Sequence, residues 1–315
     1  MDFRQINQYL QKEFMFKKLR AEEIAAKNVA WLHTIPAYFK LSQIERELAI
    51  EIAKEKIAGN SCKELQKTIS EARDKKKKIL AKVGLKESDL IPKYECKKCS
   101  DTGVVSGYVC SCYKKRRNEE LAKAFGIEIS KQKTFKNFST KICKNENQAS
   151  ELEKLKNMLE KWVQDYPNVK KTKILLMGET GLGKTHLTEC IANAFIEKGN
   201  SVCFVSAFEM VNCFLKYHTS FEKDKYSWIE PFIESDILII DDLGTEPKLK
   251  NVTLEYLYLV ISEREKYSRP VIVTTNYANP QNLLEMYEER IYSRLINKQE
   301  SATLVLKGND LRISK

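Results

Sequence analysis

The chain has 315 residues, 43% hydrophobic and 31% charged, with 11 Gly, 7 Pro and a net charge of +11. Such apolar content excludes global disorder, and so few glycines and prolines exclude collagen-like or low-complexity chains. No apolar run approaches the ~18 residues that span a bilayer, and the opening MDFRQINQYLQKEF lacks the apolar stretch of a secretory signal, so no membrane association is expected.

Nine cysteines, an odd number, argue against a disulfide framework and favour a reducing cytoplasm. At about 150 residues per domain, the length suggests two domains. Residues 1–145 carry 32 Lys and Arg against 18 Asp and Glu, whereas residues 146–315 carry 22 against 25. This asymmetry points to two units with different partners. The basic unit would meet nucleic acid or an acidic protein, or would simply present a solvated lysine-rich face.

Residues 1–57 read as helix, because Phe3, Ile6, Leu10 and Phe14, then Ile24, Ala25 and Val29, recur at helical steps. Pro36 interrupts the pattern, since it lacks an N–H and disfavours helix before it. A second helical pattern runs from Leu41 to Ile57 and a third from Cys62 to Val83. The third contains the run Lys75–Lys78, a solvated face or a nucleic-acid contact. From Tyr94 the character changes. Cys96, Cys99, Cys110 and Cys112 place four thiols within 17 residues. Gly103 and Gly107 permit the turn between the pairs, and four thiolates suit tetrahedral Zn²⁺ in a closed structural site. An iron–sulfur cluster or free cysteines are the alternatives. The remaining Cys62, Cys143, Cys190, Cys203 and Cys213 fall on helical or strand patterns and read as small buried hydrophobes.

These features suggest a helical N-terminal domain, residues 1–125, with a zinc knuckle at 94–113. A linker would follow at 126–148, then a second domain at 149–315. In the second domain short apolar runs alternate with helical patterns such as Thr185–Glu197 and Thr253–Lys266. The runs are Ile174–Met177, Val202–Val205, Ile237–Ile240, Val271–Thr274 and Thr303–Leu306. Their continuous apolar character predicts an α/β fold, a doubly wound parallel sheet with helices on both faces.

The strongest motif is Gly178-Glu179-Thr180-Gly181-Leu182-Gly183-Lys184-Thr185, placed after a strand and before a helix. Its glycines let backbone N–H groups close around phosphates at a helix N-terminus. Lys184 would reach the β- and γ-phosphates of ATP, and Thr185 would ligate Mg²⁺. His186, next in line, either borders the nucleotide or packs on the helix. A buried strand then ends in Asp241-Asp242, suited to holding Mg²⁺ and orienting the attacking water respectively. Asn276 ends another strand and either positions that water or caps the helix at Pro280. Arg290 and Arg294 share one helix face. Either can be an arginine finger for a neighbouring subunit, Arg294 being favoured, or can form surface ion pairs. Arg312 is a further sensor of the phosphates or part of a frayed tail.

Together, GETGLGKTHL, ILIIDDLG, TTNY and ERIYSRL make residues 130–315 resemble the AAA+ ATPases. They are most similar to replicative helicase loaders of the DnaC/DnaI type, with IstB-type transposon helper ATPases as near relatives. Nine residues follow the last predicted strand, too few for the usual helical lid, and such loaders resemble a truncated form. The resemblance implies ATPase activity, self-association through ATP sites, docking of the zinc-bearing domain on a replicative DNA helicase hexamer, and delivery onto single-stranded DNA. In loaders, the region between Val205 and Asp236 resembles an insertion lining a single-strand channel. Lys216 and Tyr217 are its candidate contacts, among Phe208, Phe214, Trp228, Lys223 and Lys225, while Phe208, Val211 and Leu215 at helical steps read equally as core. The rival functions are a transposition helper on duplex DNA and a nucleotide-responsive binding module with little hydrolysis.

Overall fold

The computed structural model describes residues 3–125, 129–221 and 225–313. Its contacts divide the chain into two compact units, residues 1–10 with 109–315 and residues 11–108.

The smaller unit is helical. It contains most of α1 (Phe3–His33), then α2 (Pro36–Ile57) and α3 (Lys63–Lys82). Helix α2 starts at Pro36 and not at Leu41, because a proline in the first helical position gives up no hydrogen bond. Leu32, Tyr38 and Leu80 close a small core. Glu45 on α2 ties Arg73 at 2.7 Å and Lys76 at 2.8 Å on α3. Lys76 also covers the Tyr38 ring, so part of the lysine run serves helix packing. Residues 94–113 form a knuckle around the hairpin of β1 (Val104–Val105) and β2 (Tyr108–Val109).

The larger unit takes in the first residues of α1 and continues with α4 (Ser111–Ala124) and α5 (Glu146–Asp165). There follow β3 (Lys173–Met177), α6 (Lys184–Glu197), β4 (Val202–Ser206), α7 (Ala207–Thr219), α8 (Glu230–Glu234) and β5 (Ile237–Leu243). The chain continues through α9 (Thr253–Lys266), β6 (Val271–Thr275), α10 (Pro280–Leu295) and β7 (Ser301–Val305). Strands β3 to β7 form one parallel sheet in the order β4-β5-β6-β3-β7.

Successive strand residues feed two cores, as alternation across a sheet requires. Leu175, Met177, Val205, Leu238 and Ile240 pack with Met210, Phe214, Val260 and Ile291 of the helices on one face. Ile174, Leu176, Phe204 and Ile239 pack with Leu159, Leu187 and Phe195 of α5 and α6 on the other. Phe135 and Phe138, from the stretch whose composition suggests a linker, belong to this second core at 5% and 9% exposure. Burying each contributes about 1.5–3 kcal/mol. Edge strand β4 is covered by α4, where Asn118 accepts the Val202 N–H at 3.0 Å and donates to Asn200 O at 2.8 Å. Among the described residues, no helix is long and apolar enough to cross a membrane.

Candidate functional site

Strand β3 lies between β6 and β7, yet the chain leaves it for β4 at the far edge. The loop after β3 therefore opens at a topological switch point, where a crevice forms beyond the carboxyl ends of the strands. That loop is Gly178–Gly183. Gly178 has φ 140°, and a Cβ there would stand 2.4 Å from Leu306 O, so only glycine fits. Gly183 precedes α6 in the left-handed region at φ 86°.

Lys184 is 5% exposed and donates to Gly178 O (2.6 Å), Glu179 O (2.7 Å) and Asn276 Oδ1 (3.0 Å). Burial pushes its ammonium below the ordinary value, with Arg312 adding to the effect and the charges of Asp242 and Asp241 opposing it. On β5 the pairing with β6 shifts between Ile240 and Leu243, and Asp242 takes φ 56°. A left-handed residue is tolerated by Asp and locally costly, a feature that clusters at functional sites. It lets both adjacent acids serve one site. Asp241 accepts from Thr185 Oγ1 at 3.1 Å and Thr274 Oγ1 at 2.7 Å. Thr274 in turn accepts the Asp242 N–H at 2.8 Å, and Asp242 Oδ1 accepts from Asn276 Nδ2 at 3.3 Å. Burial, and then the neighbouring Asp242 charge, raise the Asp241 carboxyl despite the hydrogen bonds from Thr274 and Thr185. The helix at Pro280 is capped by Asn279, whose side chain accepts the Gln281 N–H, so Asn276 is not that cap.

A cavity of about 470 Å³ opens beside this network. Thr180, Gly181, Gly183, Lys184, Thr185, His186, Asp242, Asn276 and Arg312 line it, together with Lys133, Phe138, Ser139, Ile142, Cys143, Leu152 and Leu311. Its size suits a nucleotide-sized ligand. Leu182 is instead buried in the core, and Gly178 and Glu179 contribute their carbonyls to Lys184. His186 packs against Phe138 with the rings tilted by 60° and centroids 5.0 Å apart, and burial, then Lys133, lower its pKa. The apolar wall of Phe138, Ile142 and Cys143 was missed in the sequence. Its signal is the apolar Phe135, Phe138, Ile142 and Cys143 scattered without periodicity through a lysine-rich stretch. Thr185 Oγ1 and the Asp241 carboxylate, 3.1 Å apart, are neighbouring oxygen donors of the kind that would hold Mg²⁺.

Arg290 and Arg294 are not among the cavity's lining residues. Helix α10 is broken at Glu288 (φ 60°), and beyond the break both guanidinium groups lie over the Tyr258 ring, at 5.2 and 4.6 Å. Arg290 pairs with Glu255 at 2.9 Å and Glu288 at 3.3 Å; Arg294 pairs with Glu265 at 3.4 Å.

The sulfurs of Cys96, Cys99, Cys110 and Cys112 lie within 4.8 Å of one another. The turn is held by Asp101, 2% exposed, whose carboxylate accepts the N–H groups of Glu95 (2.9 Å) and Cys96 (2.8 Å). Four thiolates converging on one point fit a tetrahedral metal ion, whose sulfurs would stand about 3.8 Å apart at bonds of about 2.3 Å.

On α7, Lys216 lies 4.6 Å over Trp228, and Tyr217 packs edge-on to Tyr256 while Lys225 covers its face. Phe214 is core and Phe208 is half exposed. Lys223 lies outside the described residues.

The switch-point loop, the two strand-end acids and the sheet order define a P-loop fold of the AAA+ type. The chain belongs to the family of IstB-like ATP binding proteins, whose model matches residues 111–296. It is 31% identical over 121 residues to the chromosomal replication initiator DnaA of Campylobacter jejuni, a match covering 38% of this chain and 26% of that protein. It is 26% identical over 245 residues to the phage-like element PBSX protein XkdC of Bacillus subtilis, covering 70% of this chain and 85% of XkdC. The crystal structure of the DnaC helicase loader is similar at a TM-score of 0.46 and 21% identity, over 55% of this chain and 96% of that one.

Proposed function

We propose that the protein is an ATP-dependent loader that binds a replicative DNA helicase hexamer and delivers it onto single-stranded DNA. ATP binding between subunits would assemble it, and hydrolysis would release it. The observation that carries the switch is the joined network of Lys184, Thr185, Asp241, Asp242 and Asn276 beside a nucleotide-sized cavity whose walls do not include Arg290 or Arg294. In this reading the Lys184 ammonium leaves its carbonyl partners for the phosphates. Thr185 and Asp241 hold Mg²⁺, which neutralises phosphate charge when bound. Asp242 orients the attacking water, and Asn276 keeps Asp242 and Lys184 in register. Arg294 of a neighbouring copy stabilises the transition state, an effect of ~10³-fold or more. Arg312 acts within its own chain.

The four-cysteine knuckle is the structural zinc site of a docking surface, since about 20 residues bury too little apolar surface to hold themselves. Lys216 and Tyr217 contact the strand, and the protein works in the cytoplasm. The family match, the loader-type motifs and the cysteine cluster support this reading. The test mixes the full chain with its host's replicative helicase, ATP and Mg²⁺, and measures mass by light scattering after size exclusion. A species holding one helicase hexamer and several copies of this chain is expected. Absence of such a species, with ATP binding intact, would move the function to a transposition helper.

A further inference from the structure

Gln148 is 5% exposed and has no part in the machinery described above. Asn145 caps α5, its Oδ1 accepting the N–H groups of Asn147 at 2.8 Å and Gln148 at 3.3 Å. This fixes the first turn of the helix, from which the Gln148 side chain departs. Both ends of its amide engage one residue. Nε2 donates to Asn309 O at 2.9 Å, and Oε1 accepts the Asn309 N–H at 3.1 Å. The neighbouring Gly308 has φ 140°, and a Cβ there would stand 2.2 Å from the Gln148 amide carbon.

The segment so gripped runs along the P-loop. Leu306 N–H donates to Met177 O at 2.8 Å and Leu311 N–H to Gly181 O at 3.0 Å. A Cβ on Gly181 would stand 2.0 Å from the Asp310 carboxylate, and that carboxylate accepts the Arg312 N–H at 2.8 Å. Arg312 then reaches the cavity wall shared with Lys184 and Asp242, its side chain 69% exposed. An exposed side chain on a strap is only as well placed as the strap, and a two-point amide contact fixes both position and orientation.

We propose that Gln148 is a positioning residue for nucleotide turnover: its clasp on Asn309 sets residues 306–312 in register with the P-loop, so that Arg312 presents its guanidinium to the phosphates. This rests on the nucleotide reading of the cavity. The test is a double-mutant cycle in the full chain with Gln148→Ala, Arg312→Ala and the pair, reading fluorescent-ATP affinity, kcat and KM with Mg²⁺, and the thermal midpoint. Each single variant should lower kcat by ~10-fold, and the pair should be no slower than Arg312→Ala alone, since residues acting through one another are not additive. Independent losses that multiply to ~100-fold in the pair would overturn the proposal, as would an unchanged kcat in Gln148→Ala. Should Gln148→Ala fail to fold, the isosteric Gln148→Glu enters the same cycle, because its second oxygen opposes Asn309 O. A wild-type chain that binds no ATP would overturn the nucleotide reading, and this proposal with it.

Discussion

The two ends of the parallel sheet each bury a cation that has no carboxylate bonded to it, and they treat it differently. At the carboxyl end, Lys184 holds two backbone carbonyls and the Asn276 amide, beside a cavity of about 470 Å³. At the amino end, Arg264 is fully buried and donates to the carbonyls of Phe232, Ile233, Ser235, Asp236 and Pro270, at 2.7 to 3.2 Å. Burial pushes the Arg264 guanidinium down to about 9, which leaves it charged at neutral pH. Nearby, Lys173 at the start of β3 is met by Glu265 at 2.6 Å and Glu300 at 3.0 Å. A cation enclosed by its own backbone is architecture. One whose neutral partners leave it facing an open cavity is poised for an anion, which restores the interaction that burial removed.

The comparison breaks first at Arg264. Arg264→Met removes a donor from five carbonyls; Ile233 O keeps Arg269 and Pro270 O keeps the Leu238 N–H. Losing the donor to the other three costs about 1–3 kcal/mol each, so urea denaturation should show a loss of at least about 3 kcal/mol. A loss under about 1 kcal/mol would mean that the amino end is not held by this residue. Lys184→Ala should do the opposite. ATP hydrolysis falls more than ~100-fold while the urea midpoint holds or rises, because an incompletely compensated buried charge is removed. A midpoint that drops as far as for Arg264→Met would erase the distinction between the ends. Thr274→Val sharpens the carboxyl end, since this hydroxyl bonds Asp241 and the Asp242 N–H. It should reduce kcat by ~10-fold with KM little changed, and cost about 1–2 kcal/mol of stability. A change in KM alone would show that Thr274 does not align the acids.

The smallest effect is expected at Asp236, at the amino end. Burial alone would raise its carboxyl, but the N–H and hydroxyl of Ser201 and the Lys114 ammonium outweigh it and hold the value below the ordinary 3.8. A depressed carboxyl stabilises the fold above its ordinary value, and the benefit disappears as pH falls through the folded one. Asp236→Asn should therefore cost about 1 kcal/mol at pH 7, and the gap to wild type should close below pH ~4. A gap that widens in acid would reverse the assignment.

Much of the carboxyl end was legible in the sequence because its chemistry is local. Gly178–Thr185 must be contiguous to wrap a phosphate, and Asp241-Asp242 closes a four-residue apolar run. The β5, β6 and α9 positions followed from the same runs, and only the last strand shifted, from Thr303–Leu306 to Ser301–Val305, where it pairs with β3. What escaped is long-range. Phe138 and Ile142 form a cavity wall from a stretch without periodicity. Gln148 meets Asn309 across 161 positions, and Arg264 meets carbonyls 28 to 32 residues upstream as well as Pro270 O. Backbone carbonyls carry no sequence signature, so a buried arginine on a helix pattern looks like any surface arginine. The Tyr287 hydroxyl bonded to buried Glu246 was hidden because its partner lies 41 positions away.

The central claim is that the carboxyl end of the sheet is a Mg²⁺·ATP site. Titration calorimetry of the full chain with ATP, with and without Mg²⁺, tests it most directly. One nucleotide per chain, binding more tightly with Mg²⁺ and lost in Lys184→Ala, is the predicted result. Absent binding, or equal binding by wild type and Lys184→Ala, would contradict it.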